Sequence, residues 1–292
     1  MTTPPPLQLS LAQWSFHNTI FAGQMDRMLF AEKAQAMGFE AVEYVSRFYA
    51  TEAQDSTAFK NIVSEIKKRS EDHGLNNLLI MVDNEGALAS EDETQQNQAV
   101  ENHKKWIEAA TTLGCHSLRV NLTGGPEHDA AAWVRASIAG LQKMCNQAQG
   151  SGLNIIVENH GGLSSNGALL AQVMQGVNLP HCGTLPDLGN FCIRREGDKK
   201  WPSLCIEQYD RYKGVAEMMP WAKGVSAKTY DFDVAGNETT IDYHRMLSIV
   251  KNSGYNGYIG IEYEGQRLNE EAGVLATVAM LKRINEEGQH KL

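Results

Sequence analysis

The chain has 292 residues, with 35 acidic against 26 basic side chains and a formal net charge of -9. A surface this acidic repels phosphate backbones and anionic bilayers, which argues against a nucleic-acid or membrane partner. Hydrophobic residues at 42% and charged residues at 21% describe a soluble globular chain with a sizeable core.

Taken in order, short β-favouring runs alternate with longer amphipathic stretches. The strand candidates are "LQLSLAQWS", "AVEYV", "NNLLIMV", "HSLRVN", "NIIVENH", "CGTLPDLGN", "GVSAKTY" and "YIGIEYEG". Between them lie stretches with apolar residues at three- and four-residue spacing, such as "MDRMLFAEKAQAMG", "QAVENHKKWIEAATTLG", "AAWVRASIAGLQKMCNQAQG" and "TTIDYHRMLSIVKNSG". Several end on glycine, the usual residue just past a helix. About eight βα pairs in a chain of this length predict an α/β fold, a (β/α)8 TIM barrel in a single domain over 1–292. A doubly wound open sheet would more often show a glycine-rich phosphate loop after its first strand, which "LAQWSFHN" lacks.

Residues 1–6 are expected to form a flexible N-terminal tail. The connection "CIRREGDKKWPSLCIEQY", residues 192–209, is long for a barrel loop and reads as a lid or binding loop. Five widely spaced cysteines without a C-x-x-C pair indicate neither a zinc knuckle nor a disulfide framework; buried free thiols in a reducing compartment are expected. The opening "MTTPPPLQLS" has no charged leader or apolar core, so a cytoplasmic location is expected. Met and Ala residues along the helices would suit a homo-oligomer, without requiring one.

In a barrel, chemistry gathers at the C-terminal ends of the strands. The two-residue strand period puts Glu158 and His160 on one face of "NIIVENH", and Glu262 on a face with Glu264. Asp187 lies near the end of "TLPDLGN", with Asn190 three residues on. Three strands thus offer a carboxylate at one level of the mouth. Crowded carboxylates stay ionised only beside positive charge, and a divalent metal, Mn²⁺ or Mg²⁺ for an oxygen-rich set, is the simplest source. Alone, each acid reads equally well as an ion-pair partner, or in Asp187's case as a helix cap. Arg119 and Lys228 are inward cations able to hold a substrate oxyanion or to quiet these acids without a metal. Glu43 in "AVEYV" is a further inward candidate, and Trp14 is a candidate wall of a sugar pocket or a core residue.

"VENHGG", "LPDLGNF", "GVSAKTYDF" and "GYIGIEYEG", in this order and spacing, resemble the sugar phosphate isomerase/epimerase family, the xylose isomerase-like TIM barrels. "LSLAQWSFHNTIF" and "GFEAVEYVSRFY" extend the resemblance over nearly the whole chain. It implies one divalent metal, typically Mn²⁺, held here by Glu158, Asp187 and Glu262, with Glu158 and Glu262 as the catalytic acid/base pair. His160, Arg119, Asn190, Lys228, Trp14 and Glu43 would bind substrate. One position departs from the pattern: the family's His-x-Lys on the seventh strand reads Ser226-Ala227-Lys228 here, so the usual histidine ligand is a serine. A metal would then be held, more weakly, by three carboxylates and water, or Lys228 leans over that position, or a residue such as His160 supplies a nitrogen.

The expected function is metal-dependent isomerisation or epimerisation of a small sugar or keto-sugar through an enediolate. The alternative is a lyase or dehydratase on a keto-sugar or keto-inositol using the same intermediate. A sugar-binding barrel without catalysis is the third reading. An endonuclease would need a histidine-rich metal cluster and a basic groove, and neither is present in the sequence.

Overall fold

The computed structural model describes residues 7–198 and 203–289. The expected tail at 1–6 lies outside the described residues, as does 199–202 within the long connection. The eight strands expected from the sequence all form. They are β1 (Leu9–Ala12), β2 (Ala41–Val45), β3 (Asn76–Met81), β4 (Ser117–Val120), β5 (Asn154–Glu158) and β6 (Cys182–Leu185), then, beyond a two-stranded excursion, Val225–Thr229 and Ile259–Tyr263. The excursion supplies β7 (Cys192–Arg195) and β8 (Cys205–Gln208), so the last two barrel strands are β9 and β10. The helices are α1 (His17–Phe21), α2 (Phe30–Ala36), α3 (Ser56–Asp72), α4 (Glu93–Leu113), α5 (Ala130–Gln147), α6 (Gly167–Val177), α7 (Arg211–Met218), α8 (Tyr243–Asn252) and α9 (Glu270–Gln289).

The parallel sheet runs β6-β5-β4-β3-β2-β1-β10-β9. It curls shut between β6 and β9 through two isolated parallel bridges, Thr184 with Ala222 and Asp187 with Ser226. Closure thus joins the end of β6 directly to the start of β9, and Leu188 N–H donates to Ser226 C=O at 3.0 Å. Asp187 of the expected site and Ser226, the residue that departs from the family pattern, sit at this seam.

Parallel strands covered on both faces read as continuous apolar runs. Every residue of β2, β9 and β10 is buried. A charge inside such a strand costs heavily unless it is paired, so Glu43, Ser226, Lys228 and Glu262 are the informative exceptions. The loop acids Asp55, Asp92, Asp129, Asp210 and Asp242 instead cap helices, each accepting a backbone N–H of the first turn.

The described parts of the 192–209 connection include two strands. β7 and β8 pair antiparallel, and Cys192 is bonded to Cys205 across them. This corrects the expectation of five free thiols; Cys115, Cys145 and Cys182 are the free, buried ones. The two partners are 13 residues apart, and only the hairpin register brings them together. Disulfides persist in oxidising surroundings, which weighs against the cytoplasmic expectation. Among the described residues no helix is long and apolar enough to cross a membrane.

Candidate active site

"VENHGG" turns out of β5 into the mouth. Gly161 and Gly162 take φ of 88° and 62°, a left-handed region that other residues adopt at a cost. The reversal leaves Glu158 buried at the strand end and His160 exposed on the rim. Asn159, between them, braces the neighbouring strand end. Its Oδ1 accepts from Asp187 N–H at 2.7 Å, and its Nδ2 donates to the carbonyls of Asp187 and Asn190 at 2.9 and 3.0 Å.

Asp187 divides its carboxylate between two tasks. Oδ1 accepts the backbone N–H groups of Gly189 and Asn190, both at 2.8 Å, which fixes the turn after β6. Oδ2 faces the mouth, 3.0 Å from Ser226 Oγ and 3.5 Å from Lys228 Nζ. On β10, Glu262 Oε2 lies 2.9 Å from the same Ser226 hydroxyl and its Oε1 accepts from Lys228 Nζ at 2.7 Å. Lys228 also donates to Glu264 Oε1 at 3.1 Å, and the indole N–H of Trp14 donates to that oxygen at 2.6 Å.

A second cation centre lies on β4. Arg119 Nη1 donates to Asp83 Oδ1 at 2.6 Å, and Asn121 Nδ2 donates to the same oxygen at 2.8 Å. Arg119 Nε is 2.9 Å from Glu158 Oε2, a contact of charges without an aligned hydrogen bond. Glu158 Oε1 accepts from Asn190 Nδ2 at 3.0 Å. Glu43 accepts from Ser10 Oγ at 2.6 Å, while its other oxygen is buried without a hydrogen-bond partner.

Burial sets the electrostatics. Desolvation raises the pKa of Glu158 to about 7 against the pull of Arg119, and Glu262 adds to the rise. Desolvation raises Glu43 likewise, to about 7. Asp187 is pushed up by desolvation despite Lys228. For Asp83, burial is outweighed by Arg119 and the pKa falls. Desolvation would also raise Glu264, but Lys228 outweighs it and the pKa falls. Burial disfavours both cations, yet Asp83 and Glu158 hold Arg119 charged, and Asp187, Glu262 and Glu264 do the same for Lys228. His160 is lowered, by desolvation within the concave mouth and then by Arg119.

The fold therefore brings Glu158, Asp187, Glu262, Arg119, Asn190 and Lys228 into one mouth, with Glu43 close enough to feel the charge of Glu262 and Glu158. Trp14 stands at the rim, stacked on His17 with centroids 4.6 Å apart and with the Arg47 guanidinium 5.1 Å from its ring. Sequence reasoning missed Asp83, the partner of Arg119. It stands directly after "NNLLIMV", where the strand-end rule points to it.

The donors that the expected metal would use are already engaged. Asp187 and Glu262 are joined by a hydroxyl and an ammonium, while Glu158 belongs to Arg119 and Asn190. Among the described residues no three His, Cys, Asp or Glu side chains are grouped to hold a metal ion. The donor set as arranged does not fit one, and the imidazole of His160, on the rim, does not complete it.

A model of the xylose isomerase-like TIM barrel family matches residues 31–284. The fold is similar to that of 3-keto-D-glucoside 4-epimerase from E. coli, with a TM-score of 0.70, 13% identity, and coverage of 95% of this chain and 99% of that one. It is also similar to the IOLI protein solved with a zinc atom, with a TM-score of 0.70, 13% identity, and coverage of 96% and 99%. In sequence, 76 residues are 30% identical to the 3'-dehydrocarminate deglycosidase alpha subunit of a Microbacterium species. That match spans 26% of this chain and 22% of the relative.

Proposed function

The chain belongs to the xylose isomerase-like TIM barrel family, and from that premise we propose that it is an isomerase or epimerase of a small sugar or keto-sugar working through an enediolate. The observation that carries this reading is the pair Glu158 and Glu262. They come from β5 and β10, both are buried in the mouth, and each is in contact with a fixed cation.

A C–H next to a carbonyl becomes acidic when the oxygen that takes up its electron pair is stabilised. One glutamate removes the proton, and the pair moves onto the carbonyl oxygen beside an ammonium or guanidinium. Either glutamate returns a proton, to the other face of the same carbon (epimerisation) or to the neighbouring carbon (isomerisation). A base poised near neutrality suits this work, and burial brings Glu158 there. Asn190 orients Glu158 through Oε1, and His160 on the rim would meet substrate hydroxyls. The β7–β8 hairpin starts two residues after Asn190.

Family practice and the zinc of the IOLI protein favour a divalent metal, Mn²⁺ in the expected version; the donor geometry here does not, and no step above uses one. The deglycosidase relative favours a second reading, in which the same enediolate expels a group from the adjacent carbon. Incubating the protein with ketoses and 3-keto-glycosides in D₂O separates the two. Deuterium uptake without a change in composition supports epimerisation or isomerisation, release of a fragment supports elimination, and neither on any substrate rejects both.

A further inference from the structure

We propose that Lys228 replaces the divalent metal of this barrel: its ammonium is the resident cation of the site, which neither needs nor takes up a metal ion. Four residues together make a lysine site.

The first is Lys228. Its Nζ carries three protons and lies 2.7 Å from Glu262, 3.1 Å from Glu264 and 3.5 Å from Asp187. Its ammonium donates hydrogen bonds to Glu262 and Glu264 and stands in ion-pair range of Asp187, in a side chain only 2% exposed. A divalent ion binds carboxylate oxygens at about 2.0–2.2 Å. To reach Asp187 and Glu262 it would have to displace a cation that is covalently tethered beside them.

The second is Ser226, where the family pattern puts histidine. A neutral hydroxyl is a poor substitute for an imidazole ligand. Here its oxygen lies 3.0 Å from Asp187 Oδ2 and 2.9 Å from Glu262 Oε2. It draws the two acids together beside the ammonium and offers them a proton, the opposite of a ligand's role.

The third is Gly189. A Cβ there would stand 2.6 Å from Lys228 Cγ and 2.7 Å from the Tyr230 hydroxyl. The absent side chain is the space through which the lysine stem reaches the acids. The fourth is Glu264, raised on the same face as Glu262 and pinned by Trp14. It supplies a further carboxylate oxygen, 3.1 Å from Lys228 Nζ.

A single positive charge polarises a carbonyl less than a divalent ion does, but an ammonium also carries protons. In the enediolate step the C–H proton passes to a glutamate and the electron pair to the carbonyl oxygen, whose charge the Lys228 ammonium stabilises by hydrogen bonding. Nothing is oxidised or reduced. This catalytic half rests on the reading given under Proposed function; the metal half does not.

The test is therefore a metal measurement, independent of activity. Purified wild-type protein is equilibrated with Mn²⁺, and separately with Zn²⁺, passed through a desalting column, and analysed by elemental mass spectrometry. The Ser226→His/Lys228→Met double variant is treated in parallel, with circular dichroism to establish that it is folded. We expect trace metal in the wild type and near one equivalent in the double variant, which regains the imidazole and loses the competing ammonium. Near one equivalent in the wild type, lost in Asp187→Ala, would overturn the proposal, whether or not the double variant folds. Trace metal together with a failed search for turnover would leave the metal half standing and reject the proposed reaction.

Discussion

Lys228 on β9 and Glu262 on β10 are direct neighbours in the barrel register, and their side chains meet at 2.7 Å inside the mouth. The pair is buried on both sides, so each charge depends on the other. Removing one member leaves the other desolvated and uncompensated, which costs about 3–5 kcal/mol. Lys228→Met should lose stability of this order in urea unfolding at about pH 8. Part should return as the pH falls towards about 5 and the stranded carboxyl of Asp187, already raised by burial, takes up a proton. A variant as stable as wild type at both pH values would show that the acids do not rely on the lysine.

Glu43 gives the cleanest pH signature. Its folded pKa is raised from 4.5 to about 7 by burial. The folded state then holds a proton that the unfolded state has released, so stability falls as pH rises through that window and the full cost is present above about 7. Glu43→Gln keeps the size and removes the charge. It should match wild type near pH 4 and be more stable by about 1–3 kcal/mol above pH 7, read from denaturant midpoints. Equal stability at all pH values would mean that the carboxyl is not desolvated in solution.

The pH dependence of catalysis should follow Glu158. As a base it must be ionised, and its pKa is raised to about 7. On a turned-over sugar, kcat/KM should climb with pH through an apparent value near 7 and then level off, the climb belonging to the coupled group of acids rather than to one residue alone. A flat profile from pH 5 to 8 would remove Glu158 from the role of base.

The cysteines can be counted. Alkylation in denaturant without reductant should label three thiols, Cys115, Cys145 and Cys182, and after reduction all five, as read by intact mass. Five labelled without reductant would return the chain to the reducing-compartment reading.

The barrel was legible because each strand is a short β-rich run set off by a helical period, and the eight runs named from the sequence are the eight that pair. The period of two also picked Glu158 and Glu262, since a charge in a strand covered on both faces has few places to go. Helix ends were less clear: "MDRMLFAEKAQAMG" reads as one helix but begins as a 3-10 turn at Arg27–Leu29 before α2. What stayed hidden depends on register between distant segments. Cys192 meets Cys205 only through a hairpin, and Ser226 reaches Asp187 only where the barrel closes. Asn159 stands beside Glu158, yet its work is to hold the backbone of β6's end, which no local pattern reveals.

The most direct test of the two-glutamate account is deuterium incorporation from D₂O into a bound ketose, followed by NMR for wild type, Glu158→Gln and Glu262→Gln. The account predicts exchange at the carbon beside the carbonyl in wild type, with turnover slowed about 10²–10⁴-fold in each variant, because each amide keeps the shape and loses the base. Wild-type rates of exchange in either variant would contradict it.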